Sequence, residues 1–217
     1  MFLGHFGVAL AAKPVAPTVS LGMLFVAAQF ADLLWPLLVL AGVERFAIHP
    51  GITAVTPLDF QHYPYSHSLV ALVAWGIALG LGYRMVRGGG WRAFAVIVAL
   101  VVSHWILDAI AHQPDMPLGL DERTKIGLGM WNSVPASLAI EFLLFGASVF
   151  VYARTTRAVD RTGTWALGAL VATLALIYLG SVFGPPPPST DAVAWSCIGM
   201  WLFVAWGWWV DRHREAR

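Results

Sequence analysis

Long apolar stretches dominate the chain and are separated by short polar segments. A bilayer core about 30 Å thick is crossed by roughly 20 mostly apolar helical residues. Six stretches have this length and composition: Val19–Val43, Ser66–Met85, Trp91–Ala111, Ser133–Ala153, Thr164–Phe183 and Asp191–Val210. The pattern predicts an all-α, polytopic membrane protein with six transmembrane helices, in a single integral membrane domain that covers residues 1–217.

A shorter apolar piece, Phe2–Ala12, comes before the first span. It is about half the length that a crossing requires. It has no basic front end and no long hydrophobic run, so it does not resemble a cleaved signal peptide. We expect a half-helix or an interfacial segment that turns at Lys13–Pro14 into the first span.

The composition supports a membrane protein and excludes several other classes. Of the 217 residues, 59% are hydrophobic and only 12% are charged, whereas a soluble domain carries about 25% charged residues. Too few polar side chains remain to cover a soluble surface, which excludes a soluble globular enzyme, a disordered chain and a nucleic-acid-binding protein. The single cysteine, Cys197, excludes an internal disulfide and a thiolate-clustered metal site.

The basic residues predict the orientation of the spans. The connections alternate between the two sides of the membrane, and one side holds ten of the 13 Lys and Arg residues: Lys13, Arg84, Arg87, Arg92, Arg154, Arg157, Arg161, Arg212, Arg214 and Arg217. The other side holds Arg45, Arg123 and Lys125. The positive-inside rule makes the first side cytoplasmic, so we expect a multi-pass protein of the cytoplasmic (inner) membrane.

Ionisable side chains inside the spans are few and lie at similar heights. Such groups are costly in hydrocarbon, so each of them is a functional hypothesis. They are Asp32, His67, His104, Asp108 and Glu141. Counted from the span ends at about 1.5 Å per residue, all of them fall in the outer half of the membrane. His5 joins them if the half-helix rises into the bundle.

The third span contains the most specific motif, Ser103-His-Trp-Ile-Leu-Asp108. His104, Asp108 and His112 are spaced i, i+4, i+8 and therefore share one helix face. A histidine and a carboxylate one turn apart can bind the same cation, or the carboxylate can orient the imidazole. The motif therefore predicts part of a metal site.

A second motif, Tyr63-Pro-Tyr-Ser-His-Ser68, opens the second span. Ser66 or Ser68 can cap this helix, which leaves His67 free to face inward. Nitrogen and oxygen ligands without a thiolate suit a divalent metal ion, for which we expect zinc, with manganese, iron or nickel as alternatives.

Each of these signals also has a purely structural interpretation. An intramembrane histidine such as His5 can hydrogen-bond across the bundle, and His112 at the membrane rim can be solvated. Glu141 is a candidate general base for catalysis, or it pairs with a polar group elsewhere in the bundle. The simplest interpretation makes His49, Asp59 and His62 ordinary loop residues and His213 a cytoplasmic anchor.

The order of these residues resembles a known family. Gly4-His5 near the start, an Asp late in the first span, Ser66-His67-Ser68 and Ser103-His104-x3-Asp108 resemble the YdjM-like family. Its members are usually described as metal-dependent hydrolases of the inner membrane. The resemblance covers roughly the first half of the chain. It implies that the metal ligands are His5, Asp32, His67, His104 and Asp108.

The chain departs from the family's pattern in two places. Members often show Asp-x-Asp after the first span, whereas Asp32 is followed by Leu33-Leu34. Members also often show His-Arg-Gly-x-Thr-His-Ser, where this chain has His62-Tyr-Pro-Tyr-Ser-His-Ser68. The missing Asp argues against a site for two ions more strongly than against a site for one ion. A remoter similarity to the all-helical zinc phospholipase C and nuclease group suggests phosphoester chemistry by analogy.

The sequence thus predicts a membrane-embedded, metal-dependent hydrolase. The expected substrate is a membrane lipid or an amphiphilic small molecule, that is, a lipid-like (phospho)ester reached from the non-cytoplasmic side. The alternative is a transporter or permease-like protein in which the same groups carry protons or a metal ion. A carrier needs a polar path to both faces and often shows an internal repeat. Below the level of Asp32 and His104 the spans offer only Gln29 and small residues, and no repeat is visible.

Overall fold

The computed structural model describes residues 1–217 and is mostly helical. The helices are α1 Leu3–Ala11, α2 Leu21–Ala28, α3 Phe30–Leu40, α4 Pro64–His67, α5 Leu69–Arg87, α6 Trp91–Ala111, α7 Val134–Thr155, α8 Arg161–Phe183, α9 Thr190–Ile198 and α10 Trp201–Arg212. Five helices, the last composed of α9 and α10, are long and apolar enough to cross a membrane, and α2 with α3 makes up to six. The chain is a multi-pass, helical membrane protein.

The first predicted span is broken rather than continuous. α2 and α3 meet at Gln29 with a bend of 58°. Gln29 ends α2 with backbone angles outside the helical region (φ −100°, ψ 12°). The bend turns α3 so that Asp32, in its first turn, lies beside residues of α4 and α6.

α1 is the predicted half-helix, and it lies inside the bundle rather than at the interface. It packs against α7, α2 and α6. Gly7 lets its backbone approach α7 closely, because a Cβ there would lie 3.4 Å from the Cα of Phe145. The ring of Phe6 packs edge-on against Phe25, with centroids 5.1 Å apart. Burial on all sides places His5 in the protein interior.

The chain is mostly helical, consistent with the expected all-α membrane protein, and short segments outside the helices form three small antiparallel ladders. These pair β1 Arg45–Ile48 with β2 Leu58–His62, β3 Met116–Pro117 with β4 Lys125–Ile126, and β5 Thr156–Ala158 with β6 Arg214–Ala216. The first ladder places Phe46 and Phe60 against Trp35, with ring centroids 4.8 Å and 5.7 Å away. Burial of these aromatic rings explains why this connection is ordered over the end of the bundle.

The last span is also interrupted, at Gly199–Met200. α9 packs against α3, whereas α10 packs against α2 and α8. Glycines allow α10 and α2 to touch: a Cβ on Gly207 would lie 3.0 Å from the backbone nitrogen of Gly22 and 2.9 Å from the Phe25 ring. The two halves of this span therefore contact different neighbours.

Gly207→Val is expected to lower the free energy of unfolding by about 1–3 kcal/mol, because the added side chain overpacks the contact between α10 and α2. Thermal unfolding of the purified protein in detergent measures this change. Gly168→Ala in α8 is the matched control, since a Cβ there meets nothing within 4 Å, and it is expected to be neutral or mildly stabilising. Equal unfolding temperatures for both variants would contradict the close helix contact.

Candidate metal centre

α6 supplies the centre of a buried polar cluster. His104 and Asp108 lie one turn apart on its inward face, and Nε2 of His104 is 3.1 Å from Oδ2 of Asp108. Both residues are almost completely buried. The i, i+4 spacing therefore does what the sequence predicted, and places an imidazole and a carboxylate side by side.

α4 brings His67 to the same carboxylate. Ser68 caps α5 by accepting a hydrogen bond from the backbone N–H of Ala71 at 3.1 Å, so His67 precedes the long helix and faces inward. Its Nε2 atom lies 3.4 Å from Oδ1 of Asp32 and 4.0 Å from Oδ2 of Asp108. Of the two predicted caps, Ser68 is the correct one.

The half-helix and the bent first span complete the cluster. Nε2 of His5 is 3.0 Å from Oδ1 of Asp108, and its ring stacks on His104 with centroids 3.7 Å apart. Oδ1 of Asp32 is 3.7 Å from Nε2 of His104. The amino group of Met1 also contacts Asp108. The structure thus brings together all five residues that the family resemblance implies as ligands.

Two overlapping triads have ligand atoms within 4.8 Å of one another. They are His5, His104 and Asp108, and Asp32, His67 and His104. His104 belongs to both triads, and because a neutral imidazole offers one lone pair, its Nε2 atom fits one ion held between the two triads.

Hydrogen bonds fix the tautomer of His104. Its Nδ1 atom lies 2.8 Å from the carbonyl oxygen of Ala28, at the break between α2 and α3. Since a carbonyl oxygen only accepts hydrogen bonds, Nδ1 must carry the proton. In the neutral ring, Nε2 then directs a lone pair toward the carboxylates of Asp32 and Asp108, and it has no hydrogen-bond partner.

A relay of hydrogen bonds fixes His67 in the same way. The buried carboxylate of Glu44 accepts hydrogen bonds from the hydroxyl and the backbone N–H of Ser66 and from the backbone N–H of Tyr65. Since the Ser66 hydroxyl donates to Glu44, its oxygen accepts from Nδ1 of His67 at 2.7 Å. The Nε2 lone pair of His67 therefore also faces the carboxylates. Sequence reasoning missed Glu44, because the partner of this loop acid lies 22 residues away.

His112 is a third oriented imidazole, and it is buried rather than solvated at the membrane rim. Its Nδ1 atom donates to Oδ1 of Asp115 at 3.0 Å, and the hydroxyl of Tyr63 donates to the same oxygen at 3.1 Å. Burial and the neighbouring Asp115 raise the pKa of Tyr63 well above its usual value, so this hydroxyl remains a donor. Nε2 of His112 is 4.0 Å from Oδ2 of Asp108.

The cluster fits a bound cation. Three neutral imidazoles, His67, His104 and His112, would each turn an acceptor nitrogen toward Asp32 or Asp108, which are themselves acceptors. Buried acceptors facing one another are unfavourable unless a proton or a metal ion lies between them. Outer hydrogen bonds on Nδ1 are also the usual way in which proteins orient histidine ligands.

Glu141 lies next to the cluster but has a structural partner. Its carboxylate accepts hydrogen bonds from the backbone N–H groups of Phe2 and Gly4, at 2.9 Å and 2.8 Å. These are unpaired donors at the start of α1, where a negative charge also interacts favourably with the helix dipole. Glu141 therefore anchors α1, which is the alternative noted from the sequence, and its role as a general base stays a prediction.

Glu141→Gln is expected to reduce stability by about 1–3 kcal/mol, because an amide N–H group would replace one of the acceptors that face the start of α1. Thermal unfolding in detergent measures the loss. The control is Glu215→Gln, which changes an exposed carboxylate paired with Arg157. An unchanged unfolding temperature together with lost hydrolysis would instead favour the general-base role.

The remaining predicted loop residues lie outside the cluster. His49 contacts Asp59 at the exposed hairpin, and His62 contacts Glu122. Burial alone would raise the pKa of Glu122, but hydrogen bonds from Lys125 and His62 lower it. His62 thus ties β2 to the connection between α6 and α7, outside the cluster.

Part of the cluster lines one side of a cavity of about 470 Å³, whereas His5 and His104 do not line it. Asp32, His67, Asp108, His112 and Glu141 contribute its polar side. Its other walls are mostly apolar and come from α3, the β1–β2 ladder, α8, α9 and the start of α10. The cavity is of a size that binds small molecules in other proteins.

Comparisons with family models, with curated proteins and with solved structures found no match. The resemblance to the YdjM-like family therefore stays a prediction.

Proposed function

We propose that the protein is a membrane-embedded, metal-dependent hydrolase that acts on a lipid-like or amphiphilic (phospho)ester. The observation that carries this proposal is the orientation of His67, His104 and His112. Each imidazole has an outer acceptor on Nδ1 and directs Nε2 toward buried carboxylates. A cation is the partner that such a set of groups lacks.

His67, His104 and Asp108 are the proposed ligands of the ion, with Asp32 and His5 completing its coordination or binding a second ion. Imidazole and carboxylate donors without thiolate suit zinc best, while manganese, iron or nickel are alternatives. When bound, such an ion acts as a Lewis acid and makes water nucleophilic near neutral pH.

The chain's own groups prepare the site for this chemistry. Asp108 supplies negative charge to several imidazoles at once. His112, held by Asp115, presents Nε2 beside the cavity, where a reacting ester group would lie. The rings of Trp35 and Phe60 line the same cavity, and an apolar wall of this kind strengthens electrostatic interactions beside it by lowering the local dielectric constant.

The cavity and the membrane environment support an amphiphilic substrate. The polar cluster and the apolar walls share one space of about 470 Å³ within helices that contact lipid. The excess of basic residues on the opposite connections supports a site on the non-cytoplasmic side of the inner membrane.

The packing beside the cluster argues against the transporter alternative. Leu24, Phe25, Ile97 and Leu100 are buried side chains of α2 and α6. Gln29 is a polar group at this level, and neither of its amide atoms has a partner. Apolar side chains make up most of the buried surface of α2 and α6, which argues against a continuous polar path for protons or ions.

The test is hydrolysis of synthetic amphiphilic esters and phosphoesters by the purified protein, before and after removal of metal with a chelator. We expect that chelation abolishes turnover and that zinc or manganese restores it. Turnover that is insensitive to chelation would overturn the proposal. Ion flux in proteoliposomes without hydrolysis would support the transporter.

A further inference from the structure

Residues of both α8 and α9 line the cavity. α8 packs against α10, whereas α9 turns away and packs against α3. Ile177 of α8 and Ser196 of α9 both line the cavity, and both are exposed at the surface of the bundle. Because α8 and α9 are apolar enough to lie in a membrane, an opening between these two exposed positions would face hydrocarbon rather than water.

The walls also contain two hydrogen-bond donors without partners. The indole N–H of Trp35 and the hydroxyl of Tyr178 are buried and have no acceptor in the protein. Both side chains line the cavity. A buried donor without an acceptor costs about 1–3 kcal/mol, so each needs an explanation. Oxygen atoms of a bound ligand would supply the missing acceptors.

We propose that the cavity binds a single-chain amphiphile whose anionic head group carries several acceptor oxygens, and that this ligand enters from the bilayer between α8 and α9. The head group lies against the polar cluster, within reach of Trp35 and Tyr178. The hydrocarbon chain lies along Met200 and Phe203 and leaves the bundle beside Ile177.

This inference rests on the proposed metal centre. Asp32, Asp108 and Glu141 place three carboxyl groups on the polar side of the cavity, and these would repel an anionic head group. A bound cation reverses the local charge. Binding of the amphiphile therefore depends on the metal, whereas binding of a neutral chain does not.

The test uses hexadecylphosphonate, whose carbon–phosphorus bond resists hydrolysis. A photoreactive form is incubated with the full-length protein in lipid nanodiscs, and the adducts are mapped by mass spectrometry. We expect adducts on α8 and α9 that unlabelled hexadecylphosphonate prevents, that inorganic phosphate leaves unchanged and that chelation abolishes. Adducts spread over all lipid-facing helices would overturn the proposal.

Two variants test the entry point between α8 and α9 and the head-group contacts independently. Ser196→Trp fills the opening and is expected to weaken binding about tenfold or more, whereas Leu202→Trp, on an exposed part of α10, is the control. Tyr178→Phe removes a hydroxyl that is unpaired within the protein, so it is expected to weaken binding about tenfold without loss of thermal stability. Unchanged affinity in both Ser196→Trp and Tyr178→Phe would contradict the proposed site.

Measured metal content separates this inference from the proposed function. If the protein contains metal but does not bind the phosphonate, the proposed amphiphile site is refuted, while the proposed metal centre is unaffected. Phosphonate binding by protein that contains no metal would overturn the metal dependence of this site and would also remove the support for the hydrolase.

Discussion

Asp108→Asn is expected to abolish metal binding by the purified protein. The carboxylate lies 3.0 Å from Nε2 of His5 and 3.1 Å from Nε2 of His104, and His67 and His112 are each 4.0 Å away. Asparagine keeps the shape but removes the charge that draws a cation to these imidazoles. The loss in affinity should exceed the roughly 10–100-fold effect of removing an outer partner of a ligand.

Elemental analysis of freshly purified protein measures this effect, with His104→Ala as a second variant. Asp191→Asn, in the first turn of α9, is the matched control for loss of one carboxylate. Elution of the variants at the wild-type position in size-exclusion chromatography shows that they fold. Undiminished metal in both Asp108→Asn and His104→Ala, or no metal in the wild type, would refute the metal centre.

Glu44→Gln is expected to weaken metal binding about 10–100-fold, although Glu44 does not touch the cluster. A glutamine side chain has one acceptor oxygen for the three donors that Glu44 satisfies. The Ser66 hydroxyl would then donate to Nδ1 of His67, and the proton of the imidazole would move to Nε2. His67 would direct an N–H group, rather than a lone pair, toward the ion.

Competition with a chelator measures the affinity, and ¹⁵N NMR of histidine-labelled protein reports which nitrogen of His67 carries the proton. Ser66→Ala breaks the same relay and should change affinity in the same direction. Asp121→Asn is the control, because this acid is exposed and pairs only with Arg123 and a nearby backbone N–H. Wild-type affinity and an unchanged tautomer in Glu44→Gln would show that Glu44 stabilises the local structure but does not orient His67.

The sequence by itself determined the membrane character, the approximate helices and part of the site. Transfer of apolar side chains from water to lipid depends on local composition, so a window of about 20 residues suffices to find a span. The helical period likewise determined that His104 and Asp108 share a face. These properties are local, and the structure reproduces them.

Only the tertiary structure decided how the separate pieces meet. His5 reaches Asp108 across 103 positions of the chain, and Glu44 reaches Ser66 through the bend of the loop between α3 and α4. The break at Gln29, the ladder over Trp35 and the different packing partners of α8 and α9 also depend on packing between distant segments. Hydropathy and periodicity depend on residues that are close along the chain. The contacts between distant segments depend instead on how the surfaces of these segments pack, and those surfaces meet only after folding.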